Sequence, residues 1–332
     1  MANTIVDTDY LFLSARIKAM EGRLLSHERM ERMLEAPAPE DAAKVLQECG
    51  YDEMPHLGEQ ALEKVLAEQR EKTFHELYSA VPDHNIIDVF KVKYDYHNAK
   101  TVLKAEAMGV DPAPLMVDTG RVAPGELLEK VHSSDLRGLP SILQSAIGEA
   151  REVLNTTGDP QLADFALDRA YFQDMYHIAQ ESGSAFLEGY VRIQIDSANL
   201  RSVVRTLRMG KSMEFLRGVL FEGGNIDTSR ILNTAAGGNL EELYAISPLK
   251  EAAEAGSAAL NGGRLTRFEK LCDDAVLNYV AGAKYVAFGE APVIGYLAAK
   301  ENELTSVRII MSGRMAGLDA DTIRERLRES YV

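Results

Sequence analysis

The sequence contains no tryptophan, and aromatic residues make up only 7% of its 332 positions. Proteins that bind nucleobases rely on aromatic stacking surfaces, so this scarcity argues against such a function. The formal net charge is −15, with 36 Lys and Arg residues against 51 Asp and Glu residues. Such a chain repels phosphate backbones and anionic lipid headgroups. We therefore expect no nucleic-acid partner, whereas a basic protein partner is compatible with the acidity.

Cysteine is also scarce, and no long uncharged apolar run is present. Cys49 and Cys272 have no CxxC spacing and fall in helix-like segments, so we expect two buried free thiols. No apolar run approaches the ~18 residues that a membrane-spanning helix needs. Residues 1–7 lack the basic segment and apolar core of a signal peptide. These absences predict a cytoplasmic chain without direct membrane insertion, which reaches a membrane only through another protein.

Apolar residues recur at helical spacing through almost the whole chain. Residues 10–25 place four of them on one face, at steps of three and four. They are Leu13, Ile17, Met20 and Leu24. Two longer periodic runs, 57–80 and 83–108, lie on either side of Pro82. No segment shows the sustained polar and apolar alternation of a strand, so the sequence predicts an all-α fold.

A motif repeats at intervals of about a hundred residues. Residues 95–104 (DYHNAKTVLK) and 196–205 (DSANLRSVVR) share an aspartate, an asparagine and two basic positions, at a shift of 101 residues from 95 to 196. A third copy has Glu303 in the place of Asn199, a shift of 104 residues from 199 to 303. Long helical runs precede the copies, at 57–80, 160–182 and 264–289. The repeat predicts three similar units with boundaries 1–111, 112–212 and 213–332.

Each predicted unit is a long helical pair that cannot bury its apolar stripes alone, so neighbouring units must pack against one another. Three similar units, successively rotated, would close around an axis or build a curved wall. Either arrangement leaves a concavity that a partner can occupy. A catalytic site rarely needs three near-copies of one helical pair, so the repeat favours a binding function.

Three segments resemble one known family. Residues 10–25 (YLFLSARIKAMEGRLL) resemble the N-terminal signature of the C subunit of prokaryotic V-type and A-type ATPases, the counterpart of the eukaryotic d subunit. Residues 88–105 resemble the family's helix with an aspartate, an asparagine and two lysines. Residues 301–310 resemble its C-terminal ExExxxxR signature, including the glutamate at 303. Each motif alone is weak, but together, in this order from 10 to 331, they are strong.

The resemblance implies a funnel-like, pseudo-threefold all-α subunit with a central cavity, present in one copy per complex. It would sit peripherally on the cytoplasmic face of the membrane proteolipid ring, with the foot of the central shaft in its cavity. It would couple ATP synthesis or hydrolysis to proton or sodium transport. The resemblance implies no enzymatic activity of its own and no cofactor or metal.

The repeated polar positions are the candidate partner contacts. Asn98, Asn199 and Glu303 either line the cavity or hydrogen-bond neighbouring helices. Four basic residues recur at steps of four, which places each pair on one helix face. They either pair with nearby acids or form salt bridges to the shaft or the ring. They are Lys100, Lys104, Arg201 and Arg205.

The spacing of other residues argues against a phosphate-binding loop and against a metal site. Residues 209–212 (MGKS) end like a phosphate-binding loop, but Arg205 stands where that loop requires glycine, so we expect a glycine helix cap. The seven histidines show no HxH or HExxH spacing, which argues against a metal site. The alternative function is a helical-repeat adaptor of another complex, although such solenoids use repeats of about 34 to 47 residues. An all-α enzyme is a third possibility.

Overall fold

The computed structural model describes residues 5–54 and 56–332, so the first four residues of the N-terminal segment lie outside it. These residues form α-helices and connecting turns, and no strand occurs among them. The helices are α1 (Leu11–Glu21), α2 (His27–Glu35), α3 (Pro39–Glu48), α4 (Glu59–Tyr78), α5 (Asn85–Met108), α6 (Pro124–Ser133), α7 (Ser141–Thr157), α8 (Pro160–Ser182), α9 (Ala185–Arg208), α10 (Met213–Gly218), α11 (Thr228–Ala235), α12 (Leu240–Leu243), α13 (Lys250–Leu260), α14 (Leu265–Ala281), α15 (Ala291–Met315) and α16 (Ala320–Arg324). The predicted all-α class is confirmed.

The described chain divides into two compact units. The central unit contains residues 84–236, and the terminal unit contains residues 5–83 and 237–332. The boundaries of these compact units therefore differ from the boundaries that the sequence repeat predicts. The three units with boundaries 1–111, 112–212 and 213–332 stay a prediction, because they rest on similarity between segments rather than on packing.

The long helices lie close to where the periodicity predicts them. The run at 160–182 coincides with α8, and 83–108 becomes α5. Gly109 ends α5 with φ of 66°, a left-handed conformation that glycine adopts without steric cost. The run at 264–289 is shorter than predicted, because α14 ends at Ala281 and a 3₁₀ turn, Gly282–Tyr285, follows.

In the central unit, α5 packs on the three helices that follow it, α6, α7 and α8. Because neighbours cover it on several sides, α5 buries residues around most of its circumference rather than along one stripe. Helix α8 also packs on α7 and α9. Ser184 begins α9, its hydroxyl accepting a hydrogen bond from the backbone N–H of Leu187.

In the terminal unit, α15 packs on α2, α3 and α4, much as α5 packs on α6, α7 and α8. It also packs on α1, α14 and α16. A hydrophobic core joins α15 to the N-terminal helices through side chains that are almost fully buried, among them Met33, Leu66, Val307 and Met311. Segments from both ends of the described chain therefore share one core.

Candidate partner-contact residues in three polar clusters

Asn98 lies on α5 with its side chain fully buried. Its amide nitrogen donates to the backbone carbonyl of Val117 at 2.8 Å, and its amide oxygen accepts from the backbone N–H of Val117 at 2.9 Å. The asparagine thus satisfies both backbone polar groups of a residue that belongs to no helix. This pair of bonds fixes the segment after α5 against the helix.

Asn199 makes the same two bonds in the next copy of the motif. From α9 it donates to the carbonyl of Phe221 at 2.8 Å and accepts from the N–H of Phe221 at 2.8 Å. The contacted residues, Val117 and Phe221, follow the two asparagines at nearly equal distances along the chain. In these two copies the asparagine bonds the backbone of an irregular segment, whereas the alternative predicted from the sequence was a bond to a neighbouring helix.

The aspartate three residues before each asparagine holds the same segment a little further along. Asp95 accepts from the backbone N–H groups of Arg121 and Val122 at 2.8 and 3.1 Å. Asp196 accepts from those of Asn225 and Ile226 at 3.1 and 3.2 Å. Burial, which disfavours the charged form, raises the pKa of both carboxyls above the usual value.

A glycine precedes each of these bonded pairs, at Gly120 and Gly224. A Cβ atom at either position would collide with Oδ1 of the aspartate that the segment approaches. Glycine is therefore required here by the close approach of backbone to carboxylate, and not by a left-handed φ.

Arg121 adds charge to the first cluster, which consists of Asp95, Asn98, Arg121 and Asp174. Its guanidinium donates to Asp95 at 2.7 Å and to Asp174 of α8 at 2.7 Å. Burial alone would lower the pKa of Arg121, but the bonds to Asp174 and Asp95 raise it above its usual value. Tyr96 also donates to Asp174, at 3.2 Å. A largely buried cation thus ties α5, α8 and the segment after α5 together.

The second cluster, Asp196, Asn199 and Asn225, contains no such cation. Asn225 occupies the position that corresponds to Arg121, and its neutral amide donates to Asp196 at 2.8 Å. The two clusters share their backbone bonds and differ in the side chain that donates to the carboxylate, a guanidinium in the first and a neutral amide in the second.

The third cluster, Tyr51, Lys300 and Glu303, lies in the terminal unit. Glu303 accepts from the backbone N–H of Leu25 at 2.5 Å, from the Tyr51 hydroxyl at 2.5 Å and from Lys300 at 2.6 Å. Lys300 also lies 4.7 Å from the centre of the Tyr51 ring. Burial, followed by the neighbouring Glu303 charge, raises the pKa of Tyr51. All three side chains are buried, so Glu303 fixes an N-terminal segment to α15.

The four basic candidates occupy less buried positions. Lys100 pairs with Asp168 at 2.5 Å, and Lys104 pairs with Asp164 at 2.6 Å. Both acids lie on α8, so these lysines bridge two helices rather than pairing along one. On α9, Arg201 donates to the hydroxyl of Ser197 at 3.0 Å. Arg205 is exposed. Contact of these four with a partner stays a prediction.

The other motifs considered in the sequence resolve into structural elements. Met209 caps α9, and Gly210 follows with φ of 64°, as expected of a glycine helix end. Cys49 and Cys272 are buried free thiols, as predicted. Among residues 5–54 and 56–332, no group of three or more His, Cys, Asp or Glu side chains is arranged to hold a metal ion. No helix in that part of the chain is both long and apolar enough to cross a membrane.

Sequence reasoning missed the partners of the repeated positions. Asp95 and Asn98 were visible as a shared pattern, but Arg121 and Asp174 come from separate segments. Tyr51 and Lys300 were also missed. The one sequence signal for the bonded segments was the repeated glycine. GRV at 120–122 and GNI at 224–226 are separated along the chain by the same number of residues as Val117 and Phe221, which the two asparagines bond.

Comparison with known proteins gives one consistent result. The family model described as ATP synthase (C/AC39) subunit matches residues 13–326. The C subunit of the V-type sodium ATPase of Enterococcus hirae is 24% identical over 97% of this chain and 99% of the relative. The C subunit of the A-type ATP synthase of Methanocaldococcus jannaschii is 24% identical over 96% of this chain and 86% of the relative. That of Haloquadratum walsbyi is 25% identical over 95% and 96%, respectively.

Proposed function

Because the chain belongs to the ATP synthase (C/AC39) subunit family, we propose that it is the subunit joining the central shaft to the membrane proteolipid ring of a rotary V-type or A-type ATPase. In this role it transmits torque between the ATP-handling head and the ring that carries protons or sodium. It has no catalytic activity of its own and sits peripherally on the cytoplasmic face. The family match over residues 13–326 is the observation that carries this proposal.

The proposed architecture is three helical units around a central cavity that receives the shaft. Its support is the recurrence of one construction at equivalent positions of the repeat. Asn98, Asn199 and Glu303 each use a buried side chain to fix a backbone N–H of another segment. A coupling subunit must transmit torque without deforming, and internal bonds of this kind hold the three helices rigidly to the segments that they bond.

The buried trio would therefore act on partners indirectly, by holding the surfaces that make contact. Among the basic candidates, Arg205 is exposed, whereas Lys100, Lys104 and Arg201 are only partly exposed. We assign Arg205 as the first of the four to test for a partner contact. Charge on an exposed side chain acts mainly on association and its salt dependence.

The function is tested by mixing the purified chain with the two shaft subunits of the same organism and separating the mixture by size-exclusion chromatography. Co-elution as a defined complex is the expected result, together with no ATP hydrolysis by the isolated chain. Separate elution at both low and high salt, with the helical circular dichroism spectrum intact, contradicts the proposal and favours an adaptor of another complex.

Charge reversal at Arg205 sharpens this test. Arg205→Glu should weaken the complex at low salt more than at high salt, because exposed charges are screened beyond about 10 Å at 0.1 M salt. Arg137→Glu, at another exposed arginine of the central unit, is the matched control and should leave co-elution unchanged. Equal behaviour of the two variants would remove Arg205 from the contact.

A further inference from the structure

A small cavity lies beside the third cluster, between α15 and the segment that follows α16. Glu303 and Ser306 of α15 line it, together with Ser330 and Tyr331 of that segment. The cavity gives the centre of a water molecule about 10 Å³ of space. One buried water needs roughly 10–15 Å³ on this measure, so the cavity has room for a single water molecule and for nothing larger.

Ser306 presents a buried hydroxyl that has no partner in the protein. Its side chain is 1% exposed, and its Oγ makes no hydrogen bond to any atom of the residues that the structure describes. A serine or threonine within a helix can donate to the carbonyl four residues earlier, as Thr305 does to Glu301 at 3.0 Å. Ser306 makes no such bond to Asn302. Since an unsatisfied buried hydroxyl costs free energy, native proteins nearly always supply a partner, either protein or ordered water.

Two other polar side chains that line the cavity have bonding capacity left. Glu303 and Ser306 are three residues apart on α15, so they lie on one face of the helix. The Glu303 carboxylate already accepts three hydrogen bonds, of the roughly four that a carboxylate can take. The hydroxyl of Ser330 donates to the backbone carbonyl of Leu25 at 3.1 Å, and its oxygen can still accept. Together with Ser306, these groups give one water about three partners, the number typical of buried waters.

The charge balance of the site favours a neutral ligand. The Glu303 carboxylate pairs with Nζ of Lys300 at 2.6 Å, and neither side chain is more than 5% exposed. A metal cation in the cavity would therefore add an uncompensated buried charge next to an existing ion pair, which is costly. Leu24 and Met30 also line the cavity and are almost fully buried, so these walls offer no oxygen ligands. A water molecule adds no charge and can both donate and accept.

We propose that this cavity binds one ordered water molecule, which joins α15 to the segment that follows α16. The water accepts a hydrogen bond from Ser306 and donates to the Glu303 carboxylate and to the oxygen of Ser330. Asn302 also donates to the backbone carbonyl of Glu329, at 3.0 Å. The water thus adds a buried connection between two elements that already share a bond at the surface, and it extends the third cluster to the last residues of the chain.

A high-resolution crystal structure of the full chain tests the proposal directly. We expect one density peak in the cavity, at about 2.7–3.2 Å from Oγ of Ser306 and from a carboxylate oxygen of Glu303. A cavity without a peak, or a Ser306 hydroxyl that bonds the carbonyl of Asn302 instead, overturns the proposal. A peak with several oxygen atoms within about 2.6 Å would identify a metal cation and would also overturn it.

Urea denaturation provides a second test, in which a hydrated and a dry cavity give opposite results. Ser306→Ala is compared with Ser312→Ala, at an exposed serine of the same helix. Both variants gain the helix propensity of alanine, so the comparison isolates the buried hydroxyl. Because Ser306→Ala removes a partner of the bound water, we expect its unfolding equilibrium constant to exceed that of Ser312→Ala about five- to tenfold.

A dry cavity predicts the reverse order. In that case Ser306→Ala removes a hydroxyl that has no partner, and such a change is neutral or stabilising. An unfolding equilibrium constant of Ser306→Ala equal to or smaller than that of Ser312→Ala therefore overturns the proposal.

Discussion

Helix α5 of the central unit and helix α15 of the terminal unit hold their neighbouring segments with opposite charges at matching positions. In the central unit, Asp95 and Asn98 accept hydrogen bonds from the backbone of the segment that follows. In the terminal unit, Lys300 stands where the aspartate would be and cannot accept a hydrogen bond. Glu303 takes over as acceptor and pairs with Lys300 at 2.6 Å.

Different residues therefore meet the same structural requirement in the two units. Buried backbone N–H groups of an irregular segment need hydrogen-bond acceptors, and the helix supplies them. In the central unit the segment directly follows the helix in sequence. In the terminal unit it is supplied by Leu25, which is 278 residues from Glu303. The backbone bond of the third cluster therefore joins distant parts of the chain, whereas the backbone bonds of the first two join adjacent parts.

The largest effect should come from removing the cation of the first cluster. Arg121→Met leaves two buried carboxylates, Asp95 and Asp174, without their counter-charge and should cost about 3–5 kcal/mol of unfolding free energy. Urea denaturation followed by far-ultraviolet circular dichroism measures this cost. Arg137→Met, at an exposed arginine, is the control and should unfold as the unsubstituted chain does.

The cost of Arg121→Met should also depend on pH. Burial raises the pKa of Asp95 above its unfolded value even beside Arg121, so the native state takes up the proton more readily than the unfolded state. The contribution of Asp95 to stability therefore decreases as pH rises from the pKa of Asp95 in the unfolded chain through its higher pKa in the folded state. Loss of Arg121 enlarges this decrease, so the unfolding free energy that Arg121→Met loses relative to the unsubstituted chain should be larger at pH 7 than at pH 5. A loss that grows on acidification would contradict this account.

Breaking the third cluster should have the next largest effect. Glu303→Leu leaves Lys300 buried without an anion and removes the acceptor of the Leu25 N–H, at an expected cost of about 3 kcal/mol. Adding Lys300→Met should restore part of this stability, because an uncharged pair has no desolvated charge to compensate. Urea denaturation of the single and double variants makes the comparison. A double variant no more stable than Glu303→Leu would show that the charge itself is not the cause.

A smaller effect should follow from filling the space at the two repeated glycines. Gly120→Ala and Gly224→Ala each push a methyl group against an aspartate oxygen and should cost about 1–3 kcal/mol. The first should cost more, since Asp95 is also held by Arg121 and has less freedom to move. Gly125→Ala, where no neighbour lies within contact, is the control for thermal unfolding. Equal melting temperatures for all three variants would mean that the segments relax freely.

The smallest effect is expected at the surface of the terminal unit. Arg308 pairs with Glu63 and, through its hydrogen bond, lowers the pKa of that carboxyl. Both side chains are more than one third exposed, so water and salt screen the pair. Arg308→Gln should therefore cost about 0.5 kcal/mol or less in urea denaturation, and added salt should abolish the difference. A cost comparable to that of Glu303→Leu would remove the distinction between buried clusters and surface pairs.

Much of the helical framework could be predicted because helix formation leaves a local trace. Residues 160–182 and 83–108 carry apolar positions at helical spacing, and Gly109 marks the end of α5. The end of α14 was predicted too late, at 289 rather than Ala281, since the apolar residues from 285 to 288 resemble a continued helix. In the structure those residues are exposed, and periodicity alone could not distinguish them from a stripe of core residues.

The sequence by itself determined the all-α class, the repeated positions Asn98, Asn199 and Glu303, and the family. The class follows from local spacing, the repeated positions from comparison of segments along one chain, and the family from the resemblance of three segments to its known signatures. Only the tertiary structure decided what those side chains bond. Val117, Phe221 and Leu25 have no distinguishing chemistry, because what is bonded is their backbone N–H, which nearly every residue possesses. A backbone partner leaves no mark on residue type, so its identity emerges only when folding brings the two segments together.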